Sequence, residues 1–103
     1  MELCRKLPAT PEARVIMNQL LRSATSVGAN YRAVQRSRSR AEFVSKMGIV
    51  IEEADETLYW LEMIRDGGIV LAEAVKFTIQ ESEELLSIFV ASRLTAKNRP
   101  GDS

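Results

Sequence analysis

The sequence predicts an all-α protein, an antiparallel up-down bundle of long helices. Three observations predict it. Apolar residues recur at steps of three and four over three long stretches, two of those stretches open on helix-start signals, and the connections between them are short. With 103 residues, 46% apolar and 27% charged, the chain has the makeup of a single globular domain with a modest core.

Residues 1–7 read as the last turns of a helix, with Leu3, Cys4 and Leu7 apolar before Pro8. Thr10-Pro11-Glu12 then marks a helix start: Thr10 caps, Pro11 suits the first helical position, and Glu12 complements the helix dipole. Ala13, Ile16, Leu20, Ala24, Val27, Tyr31 and Val34 follow at helical spacing, which predicts a helix from about residue 11 to about 36.

After the connection Arg36-Ser-Arg-Ser39, Ser39 and Glu42 stand at capping-box spacing. The helix they open runs to about Arg65, with Gly67 placed to end it in a left-handed conformation. Phe43, Met47, Val50, Ala54, Leu58 and Leu61 form one stripe of it, while Ile49, Trp60 and Met63 fall on nearly the opposite side, among Glu53 and Glu56. A helix that is apolar on two sides needs a neighbour on each. A last helix spans roughly 69 to 96 on a stripe of Leu71, Val75, Thr78, Ser82, Leu85 and Phe89. The expected organisation is one domain over 1–97 and a frayed, disordered tail over 98–103. The core is expected to hold Leu20, Ala24, Val27, Tyr31, Phe43, Met47, Val50, Ala54, Leu58, Leu61, Leu71, Val75, Leu85 and Phe89.

Three long helices leave an open seam that a fourth would close. The leading stub reads as a truncated first helix, so either the chain has an earlier start than Met1 or another subunit fills the seam.

Composition narrows the function. Histidine is absent, which removes the usual general base, the commonest metal ligand and the Glu-x-x-His pairs of di-metal bundles. No enzymatic activity and no cofactor or metal are expected. Cys4 is the only cysteine, so an intrachain disulfide is impossible. No apolar run approaches a membrane span and no signal-peptide core leads the chain, so a cytoplasmic location with no membrane partner is expected. The net charge is zero but unevenly placed: residues 1–46 hold nine Lys/Arg against three Asp/Glu, and residues 47–91 hold two against ten. Such halves attract each other within a bundle or between copies.

Three segments in order, Leu21-Arg-Ser-Ala-Thr-Ser-Val-Gly-Ala-Asn-Tyr-Arg32, Arg36-Ser-Arg-Ser-Arg-Ala-Glu-Phe43 and Glu52-Glu-Ala-Asp-Glu-Thr-Leu-Tyr-Trp-Leu-Glu62, resemble the four helix bundle protein family. These are small bacterial proteins also called 23S rRNA intervening-sequence proteins, and the likeness covers residues from about 7 to 95. It implies an up-down four-helix bundle, commonly a ring of five, with no established enzymatic activity. A related branch includes the accessory protein of diversity-generating retroelements, which associates with nucleic acid and a reverse transcriptase. Two features depart from the family pattern. Tyr31 is followed by Arg32-Ala33-Val34 where many relatives have Ala-Glu-Gly, and only about two turns of the first helix precede Pro8.

Candidate surfaces follow from the helical geometry. Arg14, Arg22, Arg32 and Arg36 share an arc of about 80° on the 11–36 helix, and such a stripe suits RNA or DNA phosphates. The alternative is that they pair with Glu52, Asp55 and Glu56 or face water, for at most about 1 kcal/mol each. Gln19, Ser23, Ser26 and Asn30 form a small polar row suited to close helix contact at an oligomer interface, with Gly28 nearby; the alternative is a solvent-facing polar strip. Trp60, Ile49 and Met63, bordered by Glu53 and Glu56, have the composition of a subunit interface. Glu52, Glu53, Asp55 and Glu56 read as a solvated or arginine-paired acidic face rather than a metal site. The expected function is a non-catalytic, self-assembling scaffold or adaptor, a homo-oligomer with five copies by family likeness and no small-molecule substrate. The alternative is a nucleic-acid-binding accessory protein using the arginine stripe.

Overall fold

The structure is a computed structural model, in which residues 8–99 are described. Among them the chain forms three α-helices and no strand: α1 (Pro11–Val34), α2 (Arg40–Asp66) and α3 (Ala72–Asn98). The all-α expectation holds. The leading stub, Cys4 and residues 100–103 of the expected tail lie outside the described residues, whereas Asn98 still belongs to α3.

The helix ends are set by short-range chemistry. Ala13 N donates to the Thr10 side chain at 3.2 Å and Pro11 stands in the first turn, as the sequence requires. Glu42 N donates to Ser39 Oγ at 3.0 Å, but only this half of the capping box forms. The Glu42 carboxylate turns instead to Lys46 Nζ, 2.8 Å away one helical turn on.

At the far end of α2 the expected left-handed glycine is Gly68, with φ +67°, and not Gly67, which keeps a helical φ of −78°. Gly68 N donates to Arg65 O and Ile69 N to Ile64 O, each at 3.3 Å. That pair of bonds is the Schellman motif, and it swings Ile69 onto the cluster containing Ile64.

α2 is the middle of the molecule. It packs along α1 on one side and along α3 on the other, while α1 and α3 barely meet. The result is a rod of 52 × 19 × 17 Å. Two core clusters lie along it. One joins Leu20, Leu61, Ile64, Val75 and Ile79; the other joins Val34, Met47, Val50, Ala54 and Phe89.

The core corrects the expectation at three places. Leu71 is 82% exposed, because it is the extended residue before α3 and its backbone turns the side chain away. Leu85 is exposed too, because α3 buries Val75, Ile79 and Phe89, with Leu86 packed beside them, and that stripe is rotated from Leu85 by about one residue. Tyr31 is partly open to solvent, with its ring set against Phe89. Ala13, Val34, Ile64 and Ile79 are buried beyond those expected.

Candidate functional site

Because α1 and α3 flank α2 without closing on each other, a groove runs between them. Its floor is Ala54 and Thr57 of α2, and its walls are Ala24 and Val27 of α1 and Ser82, Leu85 and Phe89 of α3. The cavity holds about 180 Å³ and is mostly apolar. Thr57 adds no free polar group to the floor, since its hydroxyl donates to Glu53 O at 2.8 Å. At one end of the groove Tyr31 and Phe89 bridge α1 and α3 with ring centroids 5.3 Å apart.

The exposed side of α3 extends this apolar surface. Phe77 and Ile88 are 68% and 61% exposed and Leu85 lies between them, all three at steps that share a helix face. The outer side of α2 presents a second apolar group, Ile49, Tyr59 and Met63. These large exposed side chains are more than scattered surface residues, because each set sits on one face.

The small polar row of α1 lies on the opposite flank, toward α2, and is used within the chain. Ser23 is fully buried and donates to Leu20 O; Asn30 donates to both the carbonyl and the hydroxyl of Ser26. Gln19 accepts from Arg22 Nε at 3.3 Å. Arg22 also pairs with Glu56 and lies 3.5 Å from Glu53. Glu53 and Glu56 therefore face α1 of the same chain.

Trp60 joins this flank as well, half-buried against the cluster around Leu20 and Leu61, with Tyr59 edge-on at 4.9 Å. Its Nε1 is shielded from water and has no acceptor among the described residues. Of the three expected interface anchors, then, Ile49 and Met63 stand outward and Trp60 lies on the rim of its own core.

The arginine row is likewise divided. Arg22 is tied to α2, Arg14 sits near the start of α1, and Arg32 and Arg36 are exposed at its end beside the α1–α2 connection. Glu42 has its pKa lowered, first by the hydrogen bond from Lys46. Asp66 is lowered in the same way by Arg65, whose own pKa is raised by that partner. Among the described residues no group of histidine, cysteine or carboxylate side chains is arranged to hold a metal, and no helix is long and apolar enough to cross a membrane.

Sequence reading missed Phe77, Ile88 and Tyr59. Phe77, Leu85 and Ile88 do share a helical face, but the adjacent pair Leu85-Leu86 supports two stripes equally and only packing decides between them.

Comparison with known proteins identifies the relatives of this fold. No curated protein matches the chain. A crystal structure of a protein of unknown function from the S23 ribosomal protein family of Bacteroides thetaiotaomicron VPI-5482 superposes with a TM-score of 0.73 at 35% sequence identity, over 77% of this chain and 73% of that one. The family model described as 23S rRNA-intervening sequence protein matches residues 1–91. The chain belongs to the 23S rRNA-intervening sequence protein family.

Proposed function

We propose that this protein is a non-catalytic assembly module, a homo-oligomeric scaffold or adaptor built as a four-helix bundle whose fourth position is the groove between α1 and α3. The observation that carries this reading is the apolar face of Phe77, Leu85 and Ile88, which borders the groove and has no partner among the described residues.

Charge favours a second copy of this chain as the partner. Residues 72–86 of α3 carry four glutamates and one lysine, whereas α1 exposes Arg14 and Arg32, its third arginine, Arg22, being engaged by α2. An α3 face laid against the outer side of α1 from another copy brings opposite charges around an apolar centre. Such a contact uses two different surfaces, so repeating it closes a ring or extends a filament; a ring of five is the assembly proposed here.

The test is the double variant Leu85→Glu with Ile88→Glu, both at exposed positions. The reading expects the mass in sedimentation equilibrium to fall to that of one chain, with helical circular dichroism retained. An unchanged oligomer mass would reject this face as the interface.

A further inference from the structure

The charges of the rod are sorted by its two ends. Residues 31–47 and 89–99 come together at one end, where α1 finishes, α2 begins and α3 finishes. Arg40 of α2 donates there to the carbonyl of Arg99, just beyond α3. These two segments hold eight cations, Arg32, Arg36, Arg38, Arg40, Lys46, Arg93, Lys97 and Arg99, against one acid, Glu42. The rest of the described chain holds four cations against eleven acids. Glu42 neutralises little of the pole, since Lys46 at 2.8 Å already engages it and Arg38 is 3.9 Å away.

The same end carries a cleft of about 350 Å³ lined by Arg40, Phe43, Ala96 and Arg99. Arg93 borders a neighbouring hollow with Arg40 and Lys97, and is held in place by donating from Nε to Val44 O at 3.0 Å. A positively charged surface next to a recess with an aromatic ring is the combination by which proteins hold unpaired nucleotides: cations follow the phosphates and a base lies on the ring.

The geometry points to this basic end as a binding surface for single-stranded nucleic acid, with phosphates on Arg36, Arg38, Lys97 and Arg99 and a base against Phe43. It differs from the arginine row read along α1, since Arg14 is remote from it and Arg22 is engaged by Glu53 and Glu56. It is also independent of assembly through α3, because the cleft is formed within one chain.

The experiment is fluorescence anisotropy with a labelled 20-nucleotide oligo(U) RNA and a 20-base-pair DNA duplex, at 50 and 200 mM salt. The single strand should bind more tightly than the duplex and weaken steeply with salt, by about 0.7 log units per phosphate for each tenfold rise. Arg36→Glu with Lys97→Glu should weaken binding at least tenfold while leaving mass and circular dichroism unchanged; Arg14→Glu, at the other end, should have little effect. No binding at 50 mM salt, equal binding of the duplex, or equal losses from Arg14→Glu would overturn the proposal. So would a protein mass that rises as salt falls with no probe bound, since the pole would then be meeting the acidic end of another copy.

Discussion

Tyr31 of α1 and Phe89 of α3 face each other across the open side of the rod, ring centroids 5.3 Å apart and planes tilted by 37°. They couple two helices that otherwise barely meet. Phe89→Ala removes a buried ring and should cost about 3–5 kcal/mol in urea unfolding. Tyr31→Ala, at a half-open position, should cost less. A double-mutant cycle should return a coupling of roughly 0.5–1.5 kcal/mol, the range for aromatic pairs. Strict additivity would mean that the rings do not hold α1 to α3.

Gly28 lies mid-helix, and a side chain added there would meet nothing within 4 Å among the described residues beyond its own helix backbone. Gly28→Ala should therefore raise helix stability by about 1 kcal/mol in thermal melts. Gly28→Trp places a large side chain on the outer side of α1 and should reduce the oligomer mass if another copy approaches there. If the tryptophan variant keeps the wild-type mass, close approach at Gly28 is ruled out.

Trp60 buries an indole N–H that has no acceptor among the described residues. An unsatisfied buried donor is a cost that phenylalanine does not carry. Trp60→Phe should change stability by less than about 1 kcal/mol, whereas Trp60→Ala should lose about 3–5 kcal/mol. A large loss in the phenylalanine variant would show that the N–H has a partner in the assembled protein.

Stability should fall on acidification through two exposed pairs. The Glu42 carboxylate is held below its ordinary value of 4.5 by Lys46, and Asp66 below 3.8 by Arg65. A folded pKa lower than the unfolded one adds stability above the unfolded pKa, and the gain disappears as pH falls through the folded value. Glu42→Gln should thus melt slightly below wild type at pH 7, and the gap should close as pH falls below the ordinary value of 4.5 and through the lowered folded one. A gap that stays constant to pH 3 would assign the effect to something other than ionisation.

Much of the fold was legible because its determinants are local. Thr10 and Ser39 cap as their spacing requires, and the stripe of Met47, Val50, Ala54 and Leu61 is buried where it was expected. The phase of α3 was not legible. Leu85 and Leu86 are chemically alike and about 100° apart, so only the position of α2 selects Leu86. The left-handed turn fell on the second of two adjacent glycines for a similar reason, since either permits it. The candidate surfaces were harder still. Arg22 belonged to a regular row in sequence, but Glu53 and Glu56 on the facing helix withdrew it. The basic end joins Arg36 to Lys97 across sixty residues of chain, a proximity that helical periodicity does not encode.

Native mass spectrometry of the wild-type protein at micromolar concentration tests assembly most directly. The account predicts a single species at a whole multiple of 11.5 kDa, with five as the expected number. A spectrum dominated by the 11.5 kDa chain alone, from protein that is helical and folded, would contradict it.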